Sequence, residues 1–467
     1  MPTYAEELAR YATTLEFDDL PAQVVTQAKI TLRDAIACGI YGARVNKPWC
    51  AAGLQFVRHQ GGTKQSTVWH FGDRTSDIGA AFVNGLFAHS MDFSDDLGAV
   101  QVGGIVPSTA LAVGESVGAS GAEVIAAITI GYDLAARLSQ TIDSQALFLK
   151  GIQPTAWIGG FVATVVAGRL LDLEVPQLAS ALGIAASTAA GPMEFLCDGT
   201  DTKRFHPAKC AYCGVMAARL ASFGMTGPQT IFEGEFGAFN ALSGSPNFDC
   251  LVTDLGTRFE IMNTRIKPIP CADGNLGPLE GVLAIMQENG LEPEDIEQIH
   301  CRVIPSLIPF IFEFHGDRSK KYRPVAILDS QTSLPYCLAV GILRNGHVTF
   351  EDFDPSHYTD PEIHNLADKV TAEGDSALRG ESICPVDLAC VVSLTTKNEK
   401  TITKKIDYHR GDPRNPMSDD ELRDKFSRCV AGSFSDSRTN DVLSAIDQFE
   451  AVEDVSNFAA LLASDVS

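Results

Sequence analysis

From the N-terminus to about residue 263, apolar residues recur at three- and four-residue steps, the period of an α-helix. The run after Pro21 puts Val25, Ala28, Leu32, Ala35 and Gly39 on one stripe. A proline at a helix start already has the helical φ. In "DIGAAFVNGLFAHSM", Phe82 and Leu86 are four apart and Ser76-Asp77 offers a cap. "GAEVIAAITIGYDLAARLSQ" and "WIGGFVATVVAGRLLDL" are apolar on most of their faces, which predicts central helices buried on several sides. Gly159, Gly160 and Gly168 are expected to let neighbouring helices approach closely.

The period changes after Lys267. "IEQIHCRVI" alternates apolar and polar residues like a half-buried strand. "DLACVVSLTT" and "KTITKKIDY" are two further strands, and "KNEK" between them fits a hairpin turn although it lacks glycine. Helical pieces, "LGPLEGVLAIMQENG" and "SLPYCLAVGILRNG", lie between, the second stopped by Asn-Gly. "NPMSDDELRDKFSRCVAG" returns to helix, with Ser418 and Glu421 spaced as a capping box. The expected organisation is a helical domain over 1–267, an α/β domain over 268–405 and helices over 406–467.

Charge narrows the partners. The formal net charge of -23 repels nucleic acid and anionic membrane. A small anionic substrate would need a local basic pocket. The longest apolar run, "WIGGFVATVVAG", ends at Arg169, short of the roughly 20 residues that span a bilayer. The charged, helix-like N-terminus does not read as a secretory signal. The 12 cysteines are scattered, as expected of buried thiols in a reducing compartment, so the expected location is cytoplasmic. "CAYC" lies inside a helical run with no second pair to complete a zinc site, so Cys210 and Cys213 read as packing.

Three clusters carry candidate chemistry. "AHSMDFSDD" holds His89, Asp92, Asp95 and Asp96 beside a very apolar segment. If helical, His89, Asp92 and Asp96 share a face at spacings of three and four, a geometry for a metal, for proton transfer or for plain solvation. No familiar metal signature accompanies it. An aspartate between Met91 and Phe93 is expected to be partly desolvated, which moves a carboxyl pKa up towards a range useful for proton transfer. "TKRFHPAK" holds Lys203, Arg204, His206 and Lys209, and "NTRIKPIPC" holds Arg265 and Lys267. Two basic islands in an acidic chain, each near a proline, fit a pocket for carboxylates. Nucleotide-binding and nucleophile-elbow patterns are not found.

These stretches, in order, resemble the MmgE/PrpD family of dehydratases, decarboxylases and epimerases of small carboxylic acids. "NGLFAHSMDFSDD", "GYDLAARL", "GTDTKRFHPAKCA", "IFEGEFGAFNAL", "RIKPIPC", "DSQTSLPYCLAVGIL" and "RNPMSDDELRDKF" each match a family motif. The resemblance implies a mainly α fold. A large all-helical domain is completed by the C-terminal helices, and a smaller α/β lid domain is inserted. It also implies a homodimer, a small carboxylic-acid substrate, and no metal or organic cofactor.

Residue by residue, the resemblance makes Asp92 the active-site aspartate and Lys203 and Lys267 the lysines that bind substrate carboxylates. It places Tyr336 near the pocket and His206 behind the lysine motif. Two departures stand out. Relatives carry histidine where this chain has Val100, counting back from Pro107, and where it has Gln153 before Pro154-Thr155. Gln153 can hydrogen-bond substrate but is no acid at neutral pH. Asp96 stands where relatives often have Thr or Ser, and is a candidate to share a proton with Asp92. The first functional expectation is therefore a dehydratase or decarboxylase acting on a di- or tricarboxylate, with Asp92, Asp96 and Tyr336 as acid/base groups. The alternatives are an epimerase or isomerase of a dicarboxylate amino or imino acid, which needs no leaving-group acid, and a non-catalytic member. Activity is expected to survive EDTA; a loss restored by a divalent cation would return the aspartate cluster to a metal site.

Overall fold

The computed structural model describes residues 2–142, 144–242, 246–314, 316–378 and 387–466. The fold is mainly α, with 59% helix and 9% strand. The chain forms two compact units. One contains Met1–Met193, Thr202–Ile266 and Ser418–Ser467; the other contains Glu194–Asp201 and Lys267–Met417.

The first unit is helical and built around Pro154–Leu170, whose residues are all buried except Arg169. A helix apolar on every face has to be surrounded, and small residues make that possible. A Cβ on Gly214, in the helix Thr202–Ser222, would lie 2.3 Å from Ala163 Cβ and 2.7 Å from the Ala163 and Thr164 backbone. Gly159 is similarly pressed by Ile105 and Cys210, and Gly168 by Leu178. Gly160 is different, with nothing within 4 Å of an added Cβ. On Gly121–Thr141, the buried Arg137 pairs with Asp133 one turn earlier at 2.8 Å and donates to the Thr253 carbonyl at 2.6 Å. Ser76 caps Asp77–His89, and Ser418 with Glu421 forms the capping box of Asp419–Val430. Cys210 is fully buried and burial pushes its thiol up to about 12, in keeping with packing rather than redox chemistry.

The second unit has a four-stranded sheet in the order Val370–Gly374, Ile296–Val303, Cys390–Thr396, Thr401–Ile406. Val370–Gly374 runs parallel to Ile296–Val303; the other pairings are antiparallel. Helices Leu276–Asn289 and Leu334–Leu343 contribute to the core packed with the sheet. The hairpin turn works without glycine because Glu399 adopts φ +62°. The edge strand Thr401–Ile406 exposes Lys405, which blunts edge pairing. Among the described residues no helix is long and apolar enough to cross a membrane.

Gly160 on the central helix and Gly214 on the helix packed against it give a paired test. Gly214→Ala drives a methyl into backbone and should destabilise by about 1–3 kcal/mol. Gly160→Ala fills open space and gains helix propensity, so it should stabilise by about 0.5–1 kcal/mol. Thermal denaturation reads both; equal shifts of the same sign would contradict this packing.

Candidate active site

The helix Asp77–His89 stops at His89, and Ser90 takes over as its C-cap. Asp92 then turns into the left-handed region at φ +53°. Side chains other than glycine rarely adopt that conformation, and aspartate is one of the few that tolerate it. The shared helix face expected for His89, Asp92 and Asp96 therefore does not exist, because Asp92 lies beyond the last helical residue. Among the described residues, no three His, Cys, Asp or Glu side chains are placed to hold a metal ion.

The turn points Asp92 at the helix Thr202–Ser222. Lys203 Nζ lies 2.9 Å from Asp92 Oδ2, and both side chains are at most 6% exposed. Gln101 Nε2 donates to the other carboxylate oxygen at 3.2 Å, while the Gln101 backbone N–H donates to Thr155 Oγ1 at 3.1 Å. Asp92 is thus held by an ammonium and an amide rather than left alone in an apolar pocket. A neighbouring ammonium opposes what burial alone does to a carboxyl.

Gln101 was missed by counting residues. The count back from Pro107 ends at Val100, but Leu97 and Val100 exchange backbone hydrogen bonds in a tight turn. The side chain that reaches Asp92 from this loop is the next one. The polar residue in "AVQVGG" was the available signal.

One turn after Lys203, His206 Nδ1 is in very short contact with Gln153 Oε1. An amide oxygen can only accept, so the imidazole proton sits on Nδ1 and Nε2 is left as the acceptor. Burial, then the charges of Lys209 and Lys203, lower the His206 pKa to about 4. His206 is therefore neutral at pH 7. Lys209, the extra cation of this segment, donates to the carbonyls of Ala156, Thr188 and Ala190. Those three acceptors use all three ammonium protons on joining the ends of helices.

The remaining candidates have other partners. Asp96 Oδ1 accepts from Arg265 Nε at 2.8 Å and Nη2 at 2.7 Å, and the two backbones exchange hydrogen bonds. The expected proton sharing between Asp96 and Asp92 is replaced by this arginine pair. In the second unit, Lys267 is buried, donates to the Cys271 carbonyl at 3.2 Å and lies 3.5 Å from Asp273. Tyr336, in the helix Leu334–Leu343, is buried among Phe353 and Tyr358, and its hydroxyl donates to the Asp352 carbonyl at 2.9 Å. Burial raises its pKa further. A hydroxyl so engaged is poorly placed for proton donation.

The neutral His206 predicts a pH signature. Its folded pKa of about 4 lies below the ordinary histidine value of 6.5. Between these values the unfolded chain binds more protons, so this histidine's contribution is present above 6.5 and is lost as pH falls towards 4. The loss should reach about 3 kcal/mol at most. His206→Gln should flatten the pH dependence of denaturant midpoints across that window; an unchanged slope would mean His206 does not titrate there.

Comparison with known proteins finds relatives along nearly the whole chain. The MmgE/PrpD N-terminal domain model matches residues 6–251 and the MmgE/PrpD C-terminal domain model matches residues 270–450. A cis-aconitate decarboxylase-like protein of Aspergillus oryzae is 25% identical, over 98% of this chain and 97% of the relative. Cis-aconitate decarboxylase of Aspergillus terreus is 26% identical, over 98% of this chain and 95% of its own length. The human cis-aconitate decarboxylase is also 26% identical, over 99% and 95%. With family models covering nearly the whole chain and full-length relatives of one type, the protein belongs to the MmgE/PrpD family.

Proposed function

We propose that this protein is a lyase that removes CO2 from a small di- or tricarboxylate by proton transfer next to a carboxylate. The observation that carries the reading is the buried Asp92–Lys203 pair, 2.9 Å apart on a strained turn. A buried ion pair is a weak device for stability alone, because desolvation consumes most of its attraction. That argues against a non-catalytic role. It suits a site where one partner is exchanged. A substrate carboxylate arriving at Lys203 takes over the ammonium. Asp92, buried and without its cation, then favours the protonated form and becomes the acid. Gln101 keeps it aimed.

Decarboxylation fits the remaining groups better than dehydration. In a β,γ-unsaturated acid the C–C bond to the departing carboxylate breaks, its electron pair forms a new double bond to the neighbouring carbon, and the pair of the old double bond shifts to that bond's far carbon. The carbon at the far end then takes one proton. That single proton can come from Asp92. Dehydration also needs an acid for the leaving hydroxide, and neutral His206 cannot serve as one. The epimerase reading needs a donor on the opposite face, and Tyr336 is committed to Asp352. The names of the relatives support cis-aconitate as the first substrate to try. Lys267 as a second carboxylate binder and the homodimer are carried into the proposal from the family resemblance.

With cis-aconitate in deuterated water, CO2 release should accompany one deuterium in the product. Asp92→Asn should lower turnover by about 10²–10⁴, and Lys203→Ala and Lys267→Ala should each abolish measurable substrate binding. Deuterium exchange without CO2 would favour an epimerase. Water loss from a hydroxy acid would favour a dehydratase.

A further inference from the structure

Behind Asp92 lies a second set of charged groups that makes no contact with the substrate in this reading. Asp34, Asp95, Tyr132 and Lys425 are all at most 4% exposed. They come from four distant parts of the sequence. Lys425, on Asp419–Val430, lies 2.6 Å from Asp34 on the helix Ala22–Val45. Lys425 also donates to the Phe93 carbonyl at 2.9 Å, with its ammonium 4.0 Å from the centre of the Phe93 ring. Asp34 accepts the Asp95 backbone N–H at 3.1 Å. Tyr132, in "GYDLAARL", donates to Asp95 Oδ2 at 2.6 Å.

Apart from the Lys425–Asp34 pair itself, these contacts end on residues 93 or 95, the first and third positions after Asp92. Two are to the backbone itself. The Phe93 carbonyl and the Asp95 N–H are the peptide groups that fix the direction of the chain as it leaves the left-handed Asp92. Helix Asp77–His89 has already ended, and the local support is a long hydrogen bond from the Asp92 N–H to the His89 carbonyl at 3.3 Å. A residue in a sparsely populated φ/ψ region costs about 1–3 kcal/mol and persists only where its surroundings over-determine it. Space is equally restricted, as a Cβ on Gly103 would lie 2.8 Å from Asp95 Oδ1.

Burial and the Asp34 charge push the Asp95 carboxyl well up, against the Tyr132 hydroxyl and Lys425. Burial pulls Lys425 down, but Asp34 and the nearby thiols outweigh it and hold the ammonium charged. Asp34 and Lys425 thus pair at 2.6 Å beside Asp95, whose charged form burial disfavours.

We propose that Asp34, Asp95, Tyr132 and Lys425 form the device that positions the Asp92 carboxylate, by clamping residues 93 and 95 in the course that aims Asp92 at Lys203. Tyr132 and Lys425 are thus positioning residues for proton transfer, although neither touches the reacting atoms. The inference rests on Asp92 being the proton-transfer group.

The test uses Tyr132→Phe, which removes one hydroxyl and keeps the shape, with Lys425→Met as the stronger variant and Asp92→Asn as reference. In crystal structures of the variants, the Asp92–Lys203 contact should lengthen past 4 Å or the Asp92 φ should leave the positive region. With cis-aconitate, and with turnover normalised to folded protein, kcat should fall by about tenfold to a hundredfold, with KM within about twofold. A merely structural role would lower the folded fraction but leave normalised kcat unchanged. An Asp92–Lys203 pair that stays intact in Tyr132→Phe, or an unchanged normalised kcat, overturns the proposal. Full activity in Asp92→Asn would instead overturn the proton-transfer reading, and the crystal structures would still decide the positioning. If Lys425→Met does not fold, Tyr132→Phe carries the test. If cis-aconitate is not turned over, the crystal structures decide alone.

Discussion

Taking a carboxylate and an ammonium out of water costs several kcal/mol for each ion, and only close approach with further hydrogen bonds recovers it. That constraint governs the ground around Asp92 and Lys203. The helix carrying Lys203 must lie against the segment carrying Asp92. The segment must turn through a conformation that few residues accept, and both ions must find neutral donors or acceptors nearby. The helical unit meets these demands with long apolar helices and glycines that allow backbones to meet, as Gly214 does against Ala163. A charged pair in this setting is a poor staple and a good exchange point for an anionic substrate.

The neighbouring charges are each tied to partners. Arg265 holds Asp96, Lys209 joins carbonyls, and Lys425 pairs with Asp34. His206 is kept neutral by burial and by two lysines, with its proton directed at Gln153. The result is a graded arrangement. In the proposed reaction, ions held by other protein groups surround one pair whose cation the substrate carboxylate claims. In the proposed reaction that exchange couples substrate binding to the protonation of Asp92, so the acid forms only when there is a carbon to receive its proton.

Much of this was legible in the chain. Helix periods, the Ser76 cap, the Ser418–Glu421 box, the strand Ile296–Val303 and the hairpin around "KNEK" are local signals, and local signals survive without a structure. Asp92 and Lys203 stood out because an acid in an apolar run and a basic island in an acidic chain are both costly. The strand Val370–Gly374 was not legible, since "VTAEG" is short, ends in glycine and carries a single large apolar residue. The helical reading of "AHSMDFSDD" failed at Asp92, where the chain turns to positive φ just beyond the helix C-cap Ser90. Asp34 and Lys425 left no trace either, because a contact across hundreds of residues has no spacing to read. Gln101 was hidden by a loop whose length had to be guessed.

The most direct measurement is a crystal structure of the protein with a bound tricarboxylate. The account predicts a ligand carboxylate on Lys203 Nζ, the Asp92–Lys203 pair opened, and a ligand carbon about 3–3.5 Å from an Asp92 oxygen. A tricarboxylate bound elsewhere, with Asp92 and Lys203 still 2.9 Å apart, would contradict it.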